Sequence, residues 1–265
     1  MKLELQDKVA VVTGASRGIG LATVRALARE GARVVAGARG TTNELDALAR
    51  SYDVTPVCVD LATEDGPATL IERAVLTYGG LDVLVNNVGA SRPRLGGFLA
   101  TPDADWAWTL DVSLLSAVRA SRAALPYLLE REGGGAIVNV SSLNAALPEP
   151  SLTPYSAAKA ALTNLSKALA KEFGPRGVRV NTVSPGPVVT EMWTGPEGLA
   201  TQLAAADGGD VDAVMAALPE QFGLSTGRFA APEEVATLIV LLASGAAASV
   251  AGADYVIDGG LLPTA

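Results

Sequence analysis

No histidine occurs anywhere in the 265 residues, and there is a single cysteine, Cys58. A Ser-His-Asp triad is therefore excluded, as is a His- or Cys-based metal site, and most hydrolytic mechanisms fall away together. A lone cysteine forms no internal disulfide, and within the apolar stretch VTPVCVD it is expected as a buried strand residue of an intracellular, cytoplasmic chain. Basic clusters are also missing. The 20 Lys and Arg stand against 28 Asp and Glu, a net charge of −8, which argues against nucleic acid as a partner because phosphate neutralisation needs clustered positive charge. The start, MKLELQDKVAVVTG, has no apolar stretch behind a basic end, so no signal peptide is expected. The least polar run, TLIVLLASGAAASVAGA, is broken by Gly and Ser and suits a helix end and loop better than a membrane span.

What is present is a chain that is 49% hydrophobic, enough to bury one sizeable core, so a single domain over 1–265 is expected. Short apolar runs alternate with helical patterns: KVAVVTG, ARVVAGA, VTPVCVD, LDVLVNN, GAIVNVS, VRVNTVS and ADYVID, with helices expected over stretches such as Leu21 to Glu30, Ala68 to Tyr78 and Trp106 to Leu129. These strands are apolar throughout instead of alternating, as strands covered on both faces must be. The expected fold class is α/β, a doubly wound parallel sheet of about seven strands with helices on both faces. Between residues 191 and 222 the pattern changes to two short helical stretches broken by Gly-Pro and Gly-Gly. Following the sixth strand, this segment is expected to form a flap over the carboxyl ends of the strands, where ligands bind in such sheets.

Gly14, Gly18 and Gly20 lie between the first strand and the first helix. Glycines at such a turn let the backbone approach a pyrophosphate, and the helix N-terminus supplies unpaired N–H groups and a favourable dipole. Far along the chain, Tyr155 and Lys159 stand four apart at the start of an Ala-rich helix, with Leu162, Leu165 and Leu169 at helical spacing behind them. A free phenol titrates near pH 10, so acid–base work near neutrality needs a shift of roughly three units, about 4 kcal/mol. An ammonium about 4 Å away at an effective dielectric of about 20 offers approximately that much. Pro154 suits a helix start, whose dipole pushes further toward phenolate. On many helices such a pair is only a set of surface neighbours; the accompanying motifs give this one a purpose.

The spacing of TGASRGIG resembles the Thr-Gly-x-x-x-Gly-x-Gly motif of the short-chain dehydrogenases/reductases, which also carry Asn-Asn-x-Gly after the fourth strand, here Asn86 to Gly89, and a Pro-Gly element, here Pro185 and Gly186. The resemblance runs to DGG at Asp258 to Gly260 and implies a Rossmann-type oxidoreductase domain. It implies Ser142 polarising a substrate carbonyl, with Ser141 the competing hydroxyl, Tyr155 exchanging the proton as general acid/base, and Lys159 gripping the nicotinamide ribose. Ser16, Arg17 and Ile19 within the glycine loop, Leu61, Asn87, Gly89, Val188 and Thr190 take cofactor-binding positions. Asp60 takes the place that contacts adenine, with a helix N-cap as the other reading. Ala38 stands where NAD-preferring relatives have Asp, and Arg39, Arg17, Thr41 and Thr42 surround it, so NADP(H) is expected over NAD(H), since Arg forks match phosphate; Glu44 is expected to be a solvated helical residue. One departure is Ser113, at the position where the family places an Asn that completes a proton relay to the lysine. The relay leans on the backbone carbonyl, which Ser keeps; the lost amide is expected to weaken local packing and slow the relay.

The expected activity is hydride transfer between nicotinamide and a carbonyl/secondary alcohol pair, a ketoreductase. A non-catalytic NADP-binding regulatory protein is the alternative, and a sugar-nucleotide epimerase or dehydratase would require a longer C-terminal region. Met192, Trp193, Leu199, Leu203, Val214, Met215 and Phe222 in the flap, with Pro148 and Leu152, favour an apolar or neutral polar substrate. Ser91, Arg92 and Arg94 leave an acidic one open. The resemblance further implies a homo-tetramer, or a homo-dimer, and the small face of Ala157, Ala160 and Ala161 permits close helix packing between or within chains.

Overall fold

The computed structural model describes residues 2–196 and 198–263; residues 1, 264 and 265, at the ends of the expected unit, and residue 197, in the expected flap, lie outside the described residues. Seven strands form one sheet: β1 (Val9–Thr13), β2 (Arg33–Ala38), β3 (Val54–Cys58), β4 (Val83–Asn86), β5 (Gly135–Val140), β6 (Val178–Pro185) and β7 (Asp254–Ile257). All neighbours are parallel, in the order β3-β2-β1-β4-β5-β6-β7. The helices are α1 (Gly18–Arg29), α2 (Asn43–Ser51), α3 (Gly66–Tyr78), α4 (Asp103–Leu110), α5 (Ser116–Leu129), α6 (Thr153–Phe173), α7 (Glu191–Thr194), α8 (Leu199–Asp207), α9 (Val211–Gln221) and α10 (Pro232–Ala243).

The seven apolar runs of the sequence are these seven strands. Because helices cover both faces, each strand must bury its odd and even residues alike, and β1, β4 and β5 are buried at every position. On one face Val24 and Leu27 of α1 pack with Val235 and Ile239 of α10. On the other, Leu70 and Ile71 of α3 meet Ala120, Ala124 and Leu128 of α5. Full burial of a side chain such as Ile137 or Leu84 contributes roughly 1.5–3 kcal/mol, and the core rests on many of these. The order of strands reverses between β1 and β4, which opens a crevice at their carboxyl ends.

Three expectations need correction. Cys58 is exposed, because β3 is an edge strand and the residue sits at its last position, where the covering helices end. The helix expected over Trp106–Leu129 starts earlier, at Asp103 behind Pro102, and is interrupted by a π-bulge over Asp111–Leu115. The segment 191–222 holds three helices, not two, with breaks at Gly195-Pro196 and Gly208-Gly209. Its side chains form a core of their own around Ala200, Leu218, Leu224 and Phe229. No helix among the described residues is long and apolar enough to cross a membrane.

Candidate active site

The crevice is a cleft of about 1600 Å³, and it collects residues from widely separated parts of the chain, from Gly14 to Leu261. Its floor is set where β1 ends beside β4. The Thr13 hydroxyl accepts from the backbone N–H of Asn87 and Val88 at 2.9 and 3.0 Å, and the Asn87 amide donates to the carbonyls of Thr13 and Gly14 at 2.8 and 3.1 Å. Gly14 holds a left-handed φ of 66°, and a Cβ on Gly20 would stand 2.1 Å from the Gly14 carbonyl oxygen. Only glycine lets the loop fold this tightly against α1. The twelve-residue α1 begins behind Arg17 with no side-chain cap and no acid in its first turn. Its first N–H groups are therefore available to a ligand anion, and a pyrophosphate fits this cradle.

All the positions expected to bind cofactor line this one cleft: the loop from Gly14 to Gly20, Arg39, Asp60, Leu61, Asn87, Gly89, Pro185, Gly186, Val188 and Thr190, with Ser142, Tyr155 and Lys159 between them. Asp60 does not cap α3, whose N-cap is Asp65; its carboxylate accepts from Ala62 N–H at 3.0 Å within a turn at the cleft wall. Arg39 lines the cleft at the end of β2 with Thr41 and Thr42, and Thr42 caps α2. Glu44 is exposed in the first turn of that helix. Arg17 is bound differently from the expectation: it forms an ion pair with Glu191 at the start of α7. Sequence reasoning missed this partner, because nothing in the pattern marks a contact across 174 positions.

Ser142 lies two residues beyond β5; its hydroxyl donates to Asn144 Oδ1 at 3.4 Å and accepts from Asn144 N–H at 3.2 Å. Ser141 is turned away, bonding the Lys159 carbonyl at 3.0 Å and the Thr163 hydroxyl at 2.7 Å. That leaves Ser142 as the hydroxyl facing the cleft. Tyr155 and Lys159 share a face of α6, as their spacing requires, yet the electrostatics differ from the expectation. The ammonium lies 5.5 Å from the phenol ring centroid and donates to the Val140 carbonyl at 2.7 Å. Burial pushes the phenol up to about 12, against a lowering contribution from Ser142, and burial pulls the Lys159 ammonium down to about 8. In this state Tyr155 is a neutral proton donor.

Ser113 does not line the cleft; it sits fully buried in the π-bulge, behind the Asn-Asn-x-Gly loop. Its hydroxyl donates to the Ala90 carbonyl at 3.0 Å and accepts from the Ala90 N–H at 3.2 Å. The expected weakening of packing is therefore absent: one short hydroxyl satisfies both backbone groups of Ala90. This clamp matters next door, where a Cβ on Gly89 would stand 3.0 Å from Lys159 Nζ.

Over the far part of the cleft, Met192, Trp193, Leu199, Leu203 and Phe222 form the wall expected from the flap, while Val214 and Met215 pack inside its own core. Pro148, Leu152, Ser91 and Arg92 also line it; Arg94 does not. Trp108, Leu95, Leu147 and Gln221 were not anticipated. Trp108 lies on α4 just before the π-bulge, which no periodicity in the sequence forecasts.

Comparison with known proteins agrees with this geometry. The family described as enoyl-(acyl carrier protein) reductase matches residues 14–262. The chain is 40% identical to cis-4-hydroxycyclohexanecarboxylate dehydrogenase of Sinomonas cyclohexanicum, over 96% of each chain. It is 37% identical to D-threitol dehydrogenase of Mycolicibacterium smegmatis, over 97% of this chain and 93% of that one. The structure of L-sorbose reductase from Gluconobacter frateurii, complexed with NADPH and L-sorbose, matches with a TM-score of 0.91 at 35% identity, over 100% of both chains. The seven-stranded parallel sheet agrees with sequence relationship over nearly the whole length: the chain belongs to the short-chain dehydrogenase/reductase family of nicotinamide-dependent oxidoreductases.

Proposed function

We propose that the protein is an NADP(H)-dependent reductase of ketones to secondary alcohols, with Tyr155 as the general acid. The observation that carries this is that Ser142, Tyr155 and Lys159 line one cleft, with the phenol held neutral by burial. The cofactor supplies a hydride to the carbonyl carbon. Ser142 orients and polarises the carbonyl oxygen, and Tyr155 delivers its proton to that oxygen as the alcohol forms. The proton is restored to Tyr155 through Lys159, whose protonated form holds the buried end of the site against Val140. Ser113, through Ala90 and Gly89, sets the wall against which Lys159 rests. The preference for NADP(H) rests on Ala38 in place of an acid and on Arg39 beside it, a guanidinium with no ion pair among the described residues.

The helices α7–α9 act as the substrate flap of a single unit. Asp254 of the largely exposed strand β7 and the exposed Ala160 of α6, whose neighbours Ala157 and Ala161 are also exposed, line a groove of about 390 Å³. This is the face we assign to a second copy in a tetramer, checked by light scattering.

The test is a fluorescence titration with NADPH and with NADH, followed by a panel of ketones, diketones and quinones. NADPH preference, and turnover lost in Tyr155→Phe with NADPH affinity retained, is the expected result. Tight NADPH binding with no turnover on any ketone would point to a regulatory binder instead. Ser113→Asn tests the relay: a changed pH profile is expected, and an unchanged rate and profile would remove Ser113 from it.

A further inference from the structure

We infer that Arg92 is the anion anchor of the substrate half, and that the substrate is an oxo- or hydroxy-acid whose carboxylate lies several bonds from the reacting carbon. This rests on the reductase reading above and names its substrate class.

Four cationic side chains line the cleft: Arg17, Arg39, Lys159 and Arg92. Arg17 is paired with Glu191, Arg39 stands at the end of β2 on the nucleotide side, and Lys159 is buried against the Val140 carbonyl. That leaves Arg92 as the cation that faces the substrate half. It is held rigidly. The guanidinium lies 3.9 Å from the centroid of the Trp108 ring, and Nη1 donates to Asp105 at 3.2 Å. An arginine stacked on an indole and tethered at one nitrogen has lost most of its rotamer freedom before a ligand arrives, so little further ordering is needed on binding.

Its charge is only partly compensated, because its one carboxylate partner is shared. Asp105 is buried and is gripped by Arg94, through Nε at 2.7 Å and Nη2 at 2.5 Å. Burial works to raise the Asp105 carboxyl, and the bonds from Arg94 and Arg92 outweigh it and hold it below the usual carboxylate range. Two arginines share one carboxylate, so the cluster carries an excess positive charge in a protein whose net charge is −8. Glu149 lines the cleft from the loop before α6, but it accepts from the N–H and hydroxyl of Ser151 at 3.3 and 3.2 Å and forms no ion pair with Arg92. That loop is itself tied to the arginine loop by Arg94 N–H donating to the Ser151 carbonyl at 2.9 Å. The frame around Arg92 is therefore fixed from both sides.

Reach sets the substrate's length. Gly89 adjoins Lys159 Nζ, and Arg92 is three residues on, within about 10 Å of Gly89 along the chain. Leu95 and Leu147 line the same cleft and are exposed, offering apolar surface to a hydrocarbon body. A carboxylate bonded directly to the reacting carbon would find no accessible cation, because Lys159 is 2% exposed. A carboxylate at the far end of a ring or short chain meets the Arg92 fork, which matches it in shape and charge.

The test uses two pairs of probes. Tryptophan fluorescence follows binding of benzoate and its neutral isostere benzamide to the protein with NADPH, and steady-state kinetics compare 4-acetylbenzoate with 4-methylacetophenone. The expected result is at least tenfold tighter binding of benzoate, and a tenfold or greater advantage in kcat/KM for 4-acetylbenzoate carried by KM. Both should disappear in Arg92→Leu and be partly restored in Arg92→Lys, with NADPH affinity unchanged as the mark of an intact site. Equal binding of benzoate and benzamide, or discrimination that survives Arg92→Leu, overturns the anchor. If benzoate discrimination depends on Arg92 but neither ketone turns over, the anchor stands and the ketone-reduction reading falls.

Discussion

A Cβ placed on Gly20 would stand 2.1 Å from the Gly14 carbonyl oxygen and 2.6 Å from the Asn87 amide, whereas a Cβ on Gly209, between α8 and α9, would meet nothing within 4 Å. The two glycines represent the two halves of the cleft. On the nucleotide side, the glycine loop closes tightly on α1, and hydrogen bonds between Thr13 and Asn87 bind β1 to the end of β4. On the flap side, short helices are joined by open turns and held by a small aromatic group, Trp193 against Phe229 at 4.9 Å and Phe222 at 5.9 Å, apart from the cores of the sheet. The difference teaches where the chain accepts change. Gly14 and Gly20 leave no room for a Cβ, whereas helices α7–α9 pack in an apolar cluster apart from the cores of the sheet.

Several substitutions would break or sharpen this contrast. Tyr155→Phe, which removes a proton donor without altering shape, should lower kcat about 10²–10⁴-fold, measured by NADPH consumption, and leave the fold unchanged. Gly20→Ala, a clash of backbone with Cβ in the tight half, should cost about 3 kcal/mol or more, and Gly209→Ala within about 0.5 kcal/mol, both read from denaturant midpoints. Equal effects would erase the comparison.

Lys159 gives an effect of opposite signs on activity and stability. Burial lowers its pKa to about 8, from the ordinary lysine value of 10.5, so the folded state disfavours the charged form. The burden on stability is present in full below pH 8 and fades as pH rises toward 10.5. Lys159→Met should therefore abolish turnover yet raise stability at pH 7 by up to about 3 kcal/mol, with the gain shrinking above pH 8 in thermal melts. In the parent enzyme the ammonium is lost as pH rises through about 8, while Tyr155 stays protonated until about 12. Reduction should accordingly slow above pH 8. A rate independent of pH between 7 and 10 would contradict this assignment.

The smallest expected effect on cofactor affinity lies where the halves touch. Arg17 and Glu191 are both well exposed, so their pair is worth at most about 1 kcal/mol. Glu191→Ala, which frees Arg17 for the cofactor, should tighten NADPH binding by no more than about 5-fold in the same titration.

The sheet was legible because burial on both faces forces uninterrupted apolar strands, and the cleft because glycine spacing and the Tyr-Lys pair obey fixed backbone geometry. What was not legible depended on tertiary surroundings. The spacing of Tyr155 and Lys159 put them on one face, but only the structure shows the ammonium committed to Val140 and the phenol raised by burial. Cys58 read as core because its neighbours are apolar; its position at the end of an edge strand is a property of the strand order. The Ser113 clamp on Ala90 and the Arg92–Asp105–Arg94 cluster join elements through side-chain contacts that carry no periodic signal.

The π-bulge at Asp111–Leu115 has a consequence for how this protein can lose or gain residues. A bulge of this kind holds one residue more than the α-helical turn it replaces. Deleting a single residue there would let α4 and α5 run on as one regular helix, with no broken backbone bonds to betray the change. Yet each residue in a helix is worth about 100° of rotation. Trp108 and Asp105 would swing away from Arg92, and the serine that clamps Ala90 would face elsewhere. A one-codon deletion in this helix would thus produce a protein that folds and still binds its nucleotide, but with the substrate side turned out of register.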